Sequence, residues 1–194
     1  MAYERLRPET AALLLIDHQV GTMGWVKSIP FEDMKRHALM LAQTARILKL
    51  PVVLTSSMEE YAQGPLLSEL EPILPNEFAN RIKRFGIVNA MDDKNFAAAV
   101  KATGRKKLII AGVTNDVCTV YPALTLVDSG YEVQVVADAG GSPSTMADDM
   151  ALRRMERGGV TLTSTNQLIA ELAGNWTTPE GGQLVQVIMS GFQA

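Results

Sequence analysis

Short unbroken apolar runs alternate along this chain with longer segments whose apolar residues recur at helical spacing. "AALLLID" (11–17) is apolar at successive positions and ends in a charge, the pattern of a strand buried on both faces. "MKRHALMLAQTARILKL" (34–50) places Leu39, Ala42, Ala45, Ile47 and Leu48 on roughly one helical face, and Pro51 stops it ahead of a second strand, "VVLTSS" (52–57). The stretch 59–81 holds three prolines and predicts a loop with short helical turns. "RIKRFG" (81–86) is a third, short strand. A helix follows over 92–104, with Asp92 or Asp93 as its cap and Gly104 at its end. Strands at 106–113, 131–139 and 160–165 then alternate with helices at 116–129, 142–159 and 166–176. Ser142 is the expected cap of the helix at 142–159, with Pro143 in its first turn.

Six apolar strands separated by helices predict an α/β fold. The expected form is a doubly wound, three-layer (αβα) parallel sheet in one domain, residues 1–180. The tail 181–194 is apolar after two glycines, and two readings stand open: it packs on a neighbouring subunit, or it folds back on its own domain.

Composition narrows the function. Apolar residues make up 47% of the 194 and charged ones 20%, as in a globular protein. A net charge of −3 with a pI near 5.4 leaves no electrostatic footprint for nucleic acid or an anionic membrane. The one cysteine excludes an internal disulfide framework and fits a reducing compartment. The N-terminus lacks the layout of a signal peptide and no apolar run nears a membrane span, so a cytoplasmic location is expected.

In an open parallel sheet, ligands bind beyond the carboxyl ends of the strands, where strand order reverses. Asp17 closes the first strand, Lys83 and Arg84 close the third, and Cys118 follows the fourth in "GVTNDVC". A thiol in the first turn of a helix meets unpaired N–H groups and a positive dipole end, both of which favour thiolate. A nearby carboxylate can take the thiol proton and a nearby cation can hold charge. "DHQVGTMG" after the first strand lacks the glycine pattern of a dinucleotide fold, and no phosphate-binding loop motif occurs.

"LLLIDHQ", "GVTNDVC", their spacing, and "VVADAGGS" resemble the isochorismatase-like cysteine hydrolases, through to about residue 176. The resemblance implies a strand order 3-2-1-4-5-6 and a catalytic triad of Asp17, Arg84 and Cys118. It also implies a cis peptide at Val113–Thr114 and an oxyanion hole from the N–H groups of Thr114 and Cys118. The family's usual cation is lysine. "RFGIVNAM" is similar to a subgroup of octameric hydrolases of unknown specificity with arginine there, which favours Arg84 over Lys83; only one of two successive strand residues can face the site. Arginine stays charged and cannot relay a proton, which leaves proton transfer to Asp17.

The nicotinamidases of the superfamily hold zinc with an aspartate and two histidines. This chain offers only His18 and His37, the latter read as a helix-surface residue. No metal and no cofactor are therefore expected. Isochorismate cleavage, which in this superfamily does not depend on the cysteine, is not the expected reaction. The resulting expectation is a hydrolase of a small amide- or ureide-type C–N bond, acting on a small molecule as a homo-oligomer, an octamer by the resemblance. Gln19, Trp25 and Val113 are the expected substrate contacts. The alternatives are a multimeric binding protein that keeps the fold without turnover and an isochorismatase- or nicotinamidase-type hydrolase.

Overall fold

A computed structural model describes residues 5–192. Its sheet is built from β1 (Ala11–Ile16), β2 (Val52–Ser57), β3 (Ile82–Arg84), β4 (Lys107–Gly112), β5 (Glu132–Val136) and β6 (Thr161–Thr163). All neighbouring strands are parallel, in the order β3-β2-β1-β4-β5-β6. The order reverses between β1 and β4, where Ile16 stands beside Gly112.

Successive residues of β1 serve opposite layers, as the pleat requires. Ala11, Leu13 and Leu15 pack with Met34, Leu41 and Ala45 of α2 (Phe31–Leu48) and with Leu168 and Leu172 of α7 (Thr165–Ala173). Ala12, Leu14 and Ile16 pack on the other face with α4 (Lys94–Ala102), α5 (Val120–Asp128) and α6 (Thr145–Arg157), through Phe96, Val100, Ala123, Leu126 and Met155. Such double burial explains why the strand reads as a continuous apolar run.

Side-chain caps set several boundaries. Asp93 accepts from the Asn95 and Phe96 amides to start α4, and Ser164 accepts from Gln167 to start α7. Ser144, rather than Ser142, caps α6; Ser142 is fully buried and its hydroxyl donates to Asp148 Oδ1 at 2.7 Å. Two short helices, α1 (Val20–Gly24) and α3 (Pro75–Ala79), sit in the loops after β1 and β2.

The expected tail is a helix. α8 (Pro179–Phe192) runs through both glycines and lies against α2 and α7, where Leu184, Val187 and Ile188 join Met40 and Ile169 in a small separate core. The close approach explains Gly191, where an added Cβ would meet Met40 Sδ at 2.6 Å. Residues 193 and 194 of the expected tail lie outside the described residues. Met189 and Phe192 remain exposed on its outer side. Among the described residues no helix is long and apolar enough to cross a membrane.

Leu184 is fully buried in that helix contact. Leu184→Ala is expected to lower unfolding stability by about 2–4 kcal/mol, read as a shift in urea midpoint at constant slope. No shift would mean that α8 does not dock on its own domain.

Candidate active site

β1 ends one residue before Asp17, whose backbone turns into the left-handed region at φ 57°. Aspartate tolerates that region better than most residues. The turn leaves its carboxylate buried beyond the sheet edge, against the guanidinium of Arg84 at the end of β3. Arg84 Nη2 donates to Asp17 Oδ2, Nε to Thr55 Oγ1 at 2.9 Å and Nη1 to the Ile87 carbonyl at 2.7 Å. Thr55 in turn donates to the Ile82 carbonyl at 2.7 Å.

Strand alternation separates the two basic candidates. The Arg84 side chain is 1% exposed. Lys83 points the other way, 59% exposed, with its ammonium 3.1 Å from Glu59 Oε2. Glu59 is also gripped by Arg81, Nε to Oε1 at 2.6 Å and Nη2 to Oε2 at 2.9 Å, and by the Ser56 hydroxyl. This cluster ties the loop after β2 to β3.

Cys118 does not lie in the first turn of a regular helix. It occupies a wide π-helical turn, Asn115–Thr119, ahead of α5. The turn begins after a cis peptide between Val113 and Thr114. Three contacts anchor it: the Asn115 amide donates to the Gly141 carbonyl at 2.7 Å, and its side chain donates to Asp148 Oδ1 at 3.1 Å and to the Ala137 carbonyl at 3.2 Å. Gly112 lets the turn close on β1, since a Cβ there would stand 2.7 Å from Thr119 Oγ1 and 3.2 Å from Ile16 Cβ.

The Cys118 thiol, the Asp17 carboxylate and the Thr114 amide lie close enough to bear on one another's protonation. The buried Asp17 Oδ1 has no hydrogen-bond partner among the described residues, which leaves it free to accept a proton. The surroundings work against the thiolate that a helix start would favour. Burial pushes the thiol well up, the adjacent Asp17 charge adds to this, and the Thr114 amide and Arg84 only partly offset them. Burial likewise raises the Asp17 carboxyl, against the lowering effect of Arg84 and the thiol.

Residues 11–167 match the isochorismatase domain family. The chain belongs to that family. Its relatives include the probable hydrolase YcaC of Escherichia coli K12, 39% identical over 174 residues that span 90% of this chain and 83% of that protein. YcaC from Pseudomonas aeruginosa, solved with hexane-2,5-diol and covalent acrylamide, superposes with a TM-score of 0.91 at 35% identity over the full length of both chains. The Escherichia coli YcaC gene product, an octameric hydrolase of unknown specificity, gives 0.87 at 35% identity, covering 99% of this chain and 91% of that one.

In this isochorismatase-family chain the three residues face a cleft of about 290 Å³. Of the expected contacts, Trp25 lines it and is 46% exposed. Gln19 also lines it, but its amide is committed: Oε1 accepts from the Ser57 amide at 2.8 Å and Nε2 donates to the Ser57 carbonyl at 2.9 Å and to the Gly64 carbonyl. It acts as a bracket between strand ends. Val113 is not on the wall; it is fully buried in the core beneath. Sequence reasoning missed Met58, Ile87, Val88, Asp116, Val117 and Pro143, which line the same cleft. Val117 and Asp116 could have been found from their place beside the cysteine; the others sit on loops without periodicity.

Neither histidine joins the site. His18 is buried with Nε2 2.8 Å from the Ala139 carbonyl, and burial lowers its pKa to about 4. His37 is not a free surface residue, because its Nδ1 meets the Asp138 carbonyl at 2.8 Å. Among the described residues no group of three or more His, Cys, Asp or Glu stands together as a metal site.

Glu59 supplies a pH-dependent clamp beside the site. Its bonds to Arg81, then Ser56 and Lys83, hold the carboxyl down to about 2 against the opposing effect of burial. A depressed carboxylate stabilises the fold above its unfolded pKa, and that contribution is lost as pH falls from the ordinary range near 4.5 toward about 2. Glu59→Gln is expected to cost roughly 1–2 kcal/mol at neutral pH, discounted for partial solvation. The two unfolding curves should converge near pH 2. A constant gap across that window would assign the loss to packing.

Proposed function

We propose that this chain is a cysteine-dependent hydrolase of a small amide- or ureide-type C–N bond. Asp17, Arg84 and Cys118 are its catalytic triad. The observation that carries this reading is that the Asp17 carboxylate, bonded to the Arg84 guanidinium, lines the same small cleft as the Cys118 thiol. Membership in a hydrolase-bearing family supports it, as does acrylamide bound covalently to a related protein, YcaC from Pseudomonas aeruginosa.

Because burial and the Asp17 charge favour the protonated thiol, attack and deprotonation occur together. The sulfur bonds to the carbonyl carbon while its proton passes to Asp17, and the carbonyl π electrons move to oxygen. The N–H groups of Thr114 and Cys118 receive that oxyanion. On collapse the C–N bond breaks and Asp17 returns its proton to the leaving nitrogen. Water then attacks the thioester or thiocarbamate, giving its proton to Asp17, and the regenerated thiol takes that proton back. Arg84 holds the carboxylate in place and balances charge without moving a proton.

The exposed apolar residues Trp25, Tyr61, Phe85 and Val88 and the octameric state of the Escherichia coli YcaC gene product support a homo-oligomer, an octamer, for this chain. We assign it to the cytoplasm on its single cysteine.

Cys118→Ser is expected to abolish turnover of amides found in a small-molecule screen, with loss of any thioester adduct by mass spectrometry; unchanged turnover would remove the cysteine. A spent site that only binds would turn over none of the panel. Asp17 must be ionised to act, so kcat/KM should fall as pH drops, with its midpoint above the usual carboxylate range because burial raises Asp17. Asp17→Asn should lose about 10²-fold or more. An acid limb that survives in that variant would belong to another group. Light scattering should give a multiple of 21.1 kDa; a particle of that mass itself would sink the octamer.

A further inference from the structure

We propose that this cleft selects an uncharged small amide with an apolar substituent and rejects carboxylate-bearing substrates. The inference deepens the proposed function and rests on it in taking Cys118 as the reacting group of this cleft.

The argument is one of charge and commitment. Among the residues lining the cleft, Arg84 is the single cation. Its side chain is 1% exposed, and Nε, Nη1 and Nη2 already serve Thr55, Ile87 and Asp17. With each nitrogen already donating and almost none of the side chain open to the cleft, it is badly placed to clamp a carboxylate in the two-pronged way such groups are usually held. Lys83, which could have offered a second charge, is turned away to Glu59. Against this one engaged guanidinium stand two lining carboxylates, Asp17 and Asp116.

The walls are apolar. Trp25, Met58, Ile87, Val88, Val117 and Pro143 surround the approach to the sulfur. An anion entering such a space loses water, gains no unpaired donor cation, and meets like charge. A neutral amide loses far less, and its apolar substituent gains from the walls. The volume, about 290 Å³, lies at the small end of the roughly 300–1,000 Å³ usual for ligand sites. The dicarboxylate after which the family is named does not suit this cleft.

The test uses two reagents of nearly equal size, iodoacetamide and iodoacetate, on the full-length protein. Cys118 is the only thiol, so the mass shift reports it alone. The amide-to-acid ratio of alkylation rates on the folded protein is compared with the ratio for the same chain unfolded in urea at the same pH. Thiol ionisation cancels in each ratio. The expected result is a folded ratio at least about ten times the unfolded one, corresponding to about 1.4 kcal/mol. Asp116→Asn should narrow it several-fold. A folded ratio equal to or below the unfolded one overturns the proposal, including the case in which a neighbouring subunit supplies a cation. A ratio unchanged in Asp116→Asn overturns the share given to that residue. In parallel, isobutyramide should protect Cys118 from iodoacetamide at lower concentration than isobutyrate; equal protection overturns the proposal. Amide turnover surviving in Cys118→Ser would sink the proposed mechanism and leave the charge selection measured here standing.

Discussion

A carboxylate is buried at the switch point of this sheet, and much of the surrounding structure answers to that fact. Removing an ionised carboxylate from water is costly unless a cation and hydrogen bonds replace the lost hydration. The answer here is a guanidinium from the far side of β2, reaching across to Asp17. That reach demands that β3 pair in one register, with Arg84 beside Ser57, since a slip by one residue would turn Lys83 inward and Arg84 out. The Glu59 cluster holds that register from outside, through Lys83 on the strand and Arg81 just before it. An active-site ion pair and an exterior clamp are two faces of one strand's alternation.

The same burial sets the chemistry. A carboxylate beside a thiol in a desolvated space discourages a second negative charge, which favours the proton on sulfur. This differs from cysteine sites that store a thiolate on a helix dipole. The wide turn at Asn115–Thr119 explains the difference: its Thr114 amide favours the thiolate, but one amide is outweighed by burial and by Asp17.

The strands were legible in the sequence because double burial writes itself as unbroken apolar runs, and the polar residues ending β1, β3 and β4 stood out against them. Asp17, Arg84 and Cys118 could be nominated on that ground, with the resemblance to a family supplying the pairing of roles. The direction of the thiol's shift was not legible, since it depends on desolvation by side chains distant in the chain. Nor was α8, because Gly181 and Gly182 mark a break by propensity while the contact with Met40 and Ile169 overrides them. Val113 read as a wall residue from its neighbours, yet it lies in the layer beneath. Ser142 read as a cap, but its hydroxyl joins Asn115 on Asp148, a tertiary bond that no local pattern announces.

Thr55 joins these themes. Its hydroxyl accepts a hydrogen bond from Arg84 and donates one to the Ile82 carbonyl, so β2 and β3 are clasped at one oxygen. The guanidinium is thus chassis as well as charge. A substitution at that clasp would loosen the sheet's outer edge. The rim side chains Trp25 and Val88 take no part in that clasp, so the cleft's mouth can be altered without touching the bond that holds β3 to β2.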